Sequence, residues 1–250
     1  MRLSANLGFL FRELPLAEAI RAAKRTGFDA VELHWPYESD PAEIAAVLAD
    51  TGMPLLGINT SRGDTEAGDF GLSAVPGREA DARAAIDQAV AWAAHAGCRN
   101  IHVMAGRVTG DAAFATFAGN LRYAAEQAEP HGIGLLIEPL NPRDAPGYFL
   151  SSIELALRVI EASGGAARVM FDCYHMQIIR GDLLETVKAN LAAIGHVQFA
   201  AVPDRAEPDH GEIDHAWLLP AIAQAGYQGY FGAEYRPANS SFDWMRALQP

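Results

Sequence analysis

The sequence predicts one α/β domain over residues 1–250, a single (β/α)8 TIM barrel, and three observations carry that prediction. Short apolar segments rich in β-branched and aromatic residues alternate with alanine-rich stretches of helical length from end to end. Such alternation specifies a parallel sheet covered on both faces, whose strands read as near-continuous apolar runs. The alternation recurs eight times, which favours a closed barrel over an open doubly wound sheet. The length of 250 residues is that of one such barrel, typically about 250.

In chain order the strand candidates are LSANL, DAVEL, PLLGI, NIHVM, GLLIE, RVMFD, HVQFA and YFGAE. The helical stretches between them cover 15–25, 41–50, 79–96, 112–131, 152–162, 182–192 and 215–225. Gly27, Gly52, Gly97, Gly132, Gly164 and Gly226 each follow such a stretch and precede a strand, where a left-handed residue ends a helix. Ser152, Asp182 (with Glu185 three residues on) and Asp214 are N-cap candidates, because a short side-chain oxygen satisfies the first free N–H groups. The longest irregular segment, 60–78, follows the third strand. On a barrel that is the active-site face, so the segment is expected to cover a substrate. No GxGxxG or GxxxxGK[ST] opens a helix, so a dinucleotide or P-loop fold has no support.

Half the residues are hydrophobic and the formal net charge is −12. The first figure supports a large core and argues against disorder. The second argues against nucleic acid, which needs a dense basic stripe. A small acidic substrate stays compatible, since a bound cation and one or two arginines invert the local field. Cys98 and Cys173 lack any paired spacing, which excludes a disulfide framework or a thiolate zinc site. The apolar patch at the start is cut by Asn6 and Arg12, too brief for a signal peptide or a membrane span. A cytoplasmic protein with a small-molecule partner is expected.

Chemistry is concentrated at four strand ends, where Glu138, Asp172, Gln198 and Glu234 each place an oxygen donor at an apolar run. A carboxylate there is costly unless paired or bound to a cation. Strand C-termini of a barrel share one mouth, so the four form an all-oxygen set suited to Mg²⁺ or Mn²⁺; zinc usually takes nitrogen or sulfur as well. Ordinary polar residues at loop entrances are the alternative for any one of them, but not for four together.

Several neighbours extend this set. Glu32 ends DAVEL and can serve a substrate hydroxyl, His34 or the barrel mouth. His102 is a candidate substrate contact inside its strand; His196, one layer below Gln198, is expected to be structural. Arg205, in PDRAEP, carries a planar guanidinium that fits a carboxylate, the alternative being a surface pair with Asp204 or Glu207. Arg78 can reach a substrate carboxylate, but is expected as an exposed arginine opening a helix, and Cys173 as core packing. Trp35, Phe70, Tyr148 and Trp244 are candidate pocket walls. Trp217, Tyr227 and Tyr230, if exposed, offer a contact for a homo-oligomer.

The segments LLIEPLN, FDCYHMQ, HVQFAAVPDRAEPDHGEID and GAEYRP, with NTSRGDTEAGDFGLSAVPGRE and IHVMAG before them, resemble the hydroxypyruvate isomerase family of the xylose-isomerase-like barrels. The likeness spans nearly the whole chain and looks closest to the 2-oxo-tetronate isomerase branch. It implies Glu138, Asp172, Gln198 and Glu234 as metal ligands, Glu138 and Glu234 as the proton-transferring pair, and His175 on a substrate oxygen. The implied reaction moves a carbonyl along a short hydroxy-keto acid, hydroxypyruvate or a 2-oxo-tetronate. A ketose 3-epimerase would use the same glutamates, although such enzymes usually carry His where this chain has Gln198. A barrel endonuclease would need many histidine ligands and a basic surface. A sugar-acid binding protein would have no use for two glutamates about one ligand.

Overall fold

The computed structural model describes residues 1–248. Its eight strands are β1 (Leu3–Asn6), β2 (Ala30–Glu32), β3 (Ile58–Asn59), β4 (Asn100–His102), β5 (Gly134–Ile137), β6 (Arg168–Asp172), β7 (Ile194–Phe199) and β8 (Phe231–Ala233). The helices are α1 (Leu16–Thr26), α2 (Pro41–Thr51), α3 (Glu79–Ala96), α4 (Asp111–Ala128), α5 (Ile153–Ala162), α6 (Cys173–Ile179), α7 (Leu183–Asn190), α8 (His215–Gln224) and α9 (Trp244–Ala247). All strand pairs are parallel, in the order β2-β1-β8-β7-β6-β5-β4-β3. The ring closes between β2 and the residues leading into β3: Val31 bridges Leu55, and Leu33 N donates to Gly57 O at 2.9 Å. The fold is thus the expected (β/α)8 barrel. None of its described helices is long and apolar enough to cross a membrane.

Local chemistry explains most element boundaries. Asp40, Ser152 and Asp214 accept hydrogen bonds from Ala42 N, Leu155 N and Trp217 N and so start α2, α5 and α8. Gly27, Gly52 and Gly97 end α1, α2 and α3 in the left-handed conformation. Asp182 departs from expectation: at φ 50° its side chain makes no capping bond, so α7 starts uncapped by it. The stretch expected as one helix over 112–131 divides at Ala128, because Pro130 has no N–H to continue the ladder and a 3-10 turn takes over. Helix α6 was not expected at all. It begins on the strand-end residue Asp172, whose carboxylate accepts from Tyr174 N at 2.9 Å.

Register brings the polar strand ends together. Asp172 pairs with Gln198, Gln198 with Gly232, and Gly232 with Ser4. Asn6 pairs with Glu32, and Glu234 lies two residues beyond Gly232. Side chains two residues apart share a face, so Ser4, Asn6, Gln198 and Glu234 point to the same side of the sheet. On the outside, the alanines of α3 are buried at Ala82, Ala85, Ala89 and Ala93, as a closely packed outer helix requires.

Candidate active site

A cavity of about 860 Å³ opens at the C-terminal ends of the strands, and Glu32, His102, Glu138, His175, Gln198, Arg205 and Glu234 all line it. Asp172 lies behind Arg205 with its side chain fully buried. Segment 60–78 supplies Arg62 and Phe70 to the wall. Ala74 N bonds Ala105 O at 2.7 Å and Arg78 pairs with Asp69 at 3.3 Å, which ties the segment down.

Glu234 is surrounded by donors. Arg205 Nη2 reaches its Oε2 at 2.8 Å, and His34 Nε2 and Asn6 Nδ2 lie 2.9 and 3.1 Å from Oε1. Burial alone would raise this carboxyl, but the Arg205 and His34 charges outweigh it and hold the group down at about 2. Gly8 makes the arrangement possible, since a Cβ there would lie 2.0 Å from His34 Nδ1.

Arg205 is itself 8% exposed and held at φ 57°, a strained conformation for a residue with a Cβ. Its Nη2 also bonds Asp172 Oδ2 at 3.3 Å, and its guanidinium stands 5.0 and 4.9 Å from the rings of Phe9 and Tyr174. The alternative pairing with Asp204 or Glu207 does not occur. Asp204 meets His210 at 2.9 Å, and Glu207 accepts from Ala238 N and Asn239 N. Arg205 Nε remains buried without a partner.

Glu138 has the opposite surroundings. Its Oε1 is buried without a partner, and the nearest cationic candidate, His102 Nδ1, stands 3.8 Å from Oε2. Burial pushes its pKa well above the ordinary carboxylate value, and the charges of Glu234 and Asp172 add to the rise. Asp172 is raised to about 7, again by burial, with Arg205 opposing. His102 is held neutral, lowered by burial to about 4.

Glu32 binds inward rather than to His34. It accepts from Ser4 Oγ at 2.5 Å and Gln198 Nε2 at 2.7 Å, and lies 2.9 Å from His196 Nε2. Gly232 makes room, because a Cβ there would stand 2.4 Å from Glu32 Oε1. Since a carboxylate only accepts, the Gln198 amide must turn its NH₂ to Glu32 and its oxygen away; that oxygen is buried without a partner.

Glu138, Asp172 and His175 each offer a ligand atom within 4.8 Å of the others, a grouping that can hold a metal ion. His175 Nδ1 accepts from Asn141 N at 3.0 Å, and Asn141 Nδ2 lies 2.8 Å from it. A backbone N–H only donates, so the neutral ring carries its proton on Nε2. In that state His175 is a donor toward the cavity, and the two carboxylates are the available ligands. Two unpartnered oxygens, Glu138 Oε1 and Gln198 Oε1, then match the demand of a hard cation.

Residues 20–248 match the xylose isomerase-like TIM barrel family. The chain belongs to that family. It is 41% identical to the 2-oxo-tetronate isomerase of Cupriavidus necator, over 98% of this chain and 97% of that one. It is 35% identical to the hydroxypyruvate isomerase of Escherichia coli, over 100% and 99%. Among solved structures, the AP endonuclease, family 2 from Brucella melitensis superposes with a TM-score of 0.94 at 38% identity, covering 100% and 99% of the two chains. Whole-length likeness to named isomerases makes this xylose isomerase-like barrel an enzyme of isomerase type.

Within this barrel, other expectations are redirected. Tyr148 and Trp244 do not wall the cavity: Tyr148 Oη accepts from Ala105 N at 2.9 Å, and Trp244 Nε1 donates to Tyr235 Oη at 3.0 Å. Tyr227 is buried, with its hydroxyl donating to Tyr230 O at 2.8 Å, whereas Trp217 is 60% exposed. Asn6, His34 and Asn141 were missed as site residues. Asn6 and His34 had a usable signal, since each sits at or just past a strand end in the polar layer of Glu32 and Glu234.

Proposed function

We propose that this enzyme isomerises a short hydroxy-keto acid, moving the carbonyl between adjacent carbons of hydroxypyruvate or of a 2-oxo-tetronate. The observation that carries the reading is the pair Glu138 and Glu234, two carboxyl groups on one cavity with opposed electrostatic surroundings. The names of the Cupriavidus and Escherichia relatives support the substrate class.

Carbonyl transposition removes a proton from the hydroxyl-bearing carbon, returns one to the former carbonyl carbon and moves the hydroxyl proton to the other oxygen, so it needs a base and an acid on one substrate. Glu234, held ionised by Arg205 and His34, takes the proton. Glu138, which burial drives toward its neutral form while no cation is bound, returns one. Two carboxyls whose environments separate their proton affinities divide the roles in this way. His175 Nε2–H and Arg205 Nε–H would donate to a substrate oxygen, and such donors bind an oxyanion more tightly than a ketone. Glu138, Asp172, Gln198 and Glu234 would hold Mg²⁺ or Mn²⁺, Asp172 and Glu234 in exchange for their bonds to Arg205. When bound, such an ion supplies Lewis-acid stabilisation of negative charge on substrate oxygens.

An endonuclease role, raised by the likeness to the Brucella protein, fits less well. The net charge of −12 opposes a phosphate backbone, and Arg205, buried in the site, is engaged by carboxylates.

The test is proton NMR in D₂O with hydroxypyruvate and a 2-oxo-tetronate, on the native protein with Mg²⁺ or Mn²⁺ and on two variants. Glu234→Gln should abolish deuterium uptake. Glu138→Gln should cut product formation at least about 10³-fold. Unchanged turnover in either variant overturns the mechanism.

A further inference from the structure

The structure assigns the substrate's carboxylate to Arg62, a residue to which neither the motifs nor the relatives give a role; the assignment rests on the hydroxy-keto acid reading above. An acid in this cavity needs a cation that its own carboxylate can engage. Arg205 is the deepest arginine, but Glu234 and Asp172 already hold its Nη2 at 2.8 and 3.3 Å, with Asp144 at 3.7 Å from Nη1. Its unpartnered Nε can contact one oxygen, not clasp a carboxylate with two parallel bonds. The cavity wall holds three more arginines, Arg12, Arg62 and Arg236. Arg12 and Arg236 are exposed, whereas Arg62 is half-buried.

Arg62 is also the most closely stacked of the three, since the Arg236 guanidinium stands 5.9 Å from the Phe9 ring. The Arg62 guanidinium lies 4.0 Å from the centre of the Trp35 ring. That ring is locked in turn, because Trp35 Nε1 donates to Thr60 O at 3.0 Å. Among the described residues no carboxylate pairs with Arg62, and its side chain makes no hydrogen bond. A cation stacked on an aromatic face keeps its in-plane N–H groups free and aligned. Arg12 and Arg236 are likewise without an ion pair among the described residues, so what singles out Arg62 is its half-buried, ring-stacked place on the cavity wall. Arg62 therefore grips the carboxylate end while Glu138 and Glu234 work on the carbons beside it. It is also what separates acids from neutral sugars of the same length.

The experiment measures, by calorimetry, binding of an unreactive four-carbon hydroxy acid (L-threonate) and of its neutral counterpart, threitol. The native protein should prefer the acid by about 30-fold or more, the contribution of one bidentate charged pair. Arg62→Gln should bring that ratio close to unity, Arg62→Lys should recover part of it, and Arg12→Gln and Arg236→Gln should leave it within about twofold. A ratio retained in Arg62→Gln overturns the assignment. So does its loss in Arg12→Gln or Arg236→Gln with Arg62 intact. The two readings fail separately: absence of isomerisation in native protein would refute the proposed reaction, while the acid-to-alcohol ratio judges Arg62 whatever reaction the site performs.

Discussion

Glu32 and Glu138 are the same residue type, both buried at strand ends on one cavity, with opposite surroundings. Glu32 meets Ser4, Gln198 and His196. Although burial pushes it upward, His196 and those hydrogen bonds bring its pKa below the ordinary value. Glu138 has an oxygen with no partner, and burial raises it far above that value. At Glu32 the acceptor sites are filled by neighbouring strands and the group holds structure together, whereas the bare oxygen of Glu138 is left free to bind. Glu32 is thus the brace that orients Gln198, and Glu138 the group kept available for protons or a cation.

The contrast is sharpest in a pair of substitutions. Glu138→Gln removes a carboxyl that burial disfavours, so stability at pH 7 should hold or rise by about 1 kcal/mol while turnover collapses. Glu32→Gln breaks a buried charged network and should cost about 3 kcal/mol. Urea unfolding of both variants at pH 7 decides the matter. If Glu138→Gln proved as destabilising as Glu32→Gln, the idea that Glu138 lacks partners would be wrong.

A smaller effect is expected from cation binding. An ion that binds only the folded protein stabilises it by about 2.7 kcal/mol at a hundred times its Kd. Mn²⁺ should therefore raise the unfolding midpoint of the metal-free protein. Gln198→Leu, which removes one unpartnered oxygen, and Glu138→Gln, which removes the negative charge behind the other, should each reduce that rise, Glu138→Gln the more. An undiminished rise in both variants would place the cation elsewhere.

How much of this was legible in the sequence follows from which forces act locally. A barrel strand must be apolar, so Glu138, Asp172 and Glu234 stand out against their runs, and a reader can find them without coordinates. Helix ends were legible where a cap or glycine set them, as at Ser152 and Gly97. Asp172 misled because one residue serves two ends: it closes β6 and caps α6, and CYHMQII carries no start signal except that aspartate. The partners of Arg205 were illegible for another reason. They depend on the path of the loop after β7, which turns the chain through φ 57° and sends a surface-looking arginine back to Glu234. No periodicity encodes such a turn. Nor does any pattern reveal that Glu32 would be saturated and Glu138 bare, because Ser4, His196 and Gln198 come from strands distant in sequence.

His215 extends the comparison beyond the active site and gives the smallest predicted effect. It is 1% exposed, its Nδ1 lies 3.0 Å from Pro208 O, and its Nε2 has no partner. A carbonyl only accepts, so the proton sits on Nδ1 and the bare Nε2 resists a second one. Burial accordingly lowers the group to about 4, against about 6.5 in an unfolded chain. With the folded value depressed, the unfolded state binds more protons between those limits, so stability is present in full above about 6.5 and is lost as pH falls toward 4. At pH 5.5 the loss from this residue should be about 1 kcal/mol relative to neutral pH. His215→Asn does not titrate here and can still donate to Pro208 O. Its unfolding free energy should fall less steeply between pH 7 and 5.5 than that of the native protein, by that same amount. Parallel pH profiles would mean that the ring has a partner for Nε2 after all, and a bare group would then no longer be the common cause of the shifts at His215 and Glu138.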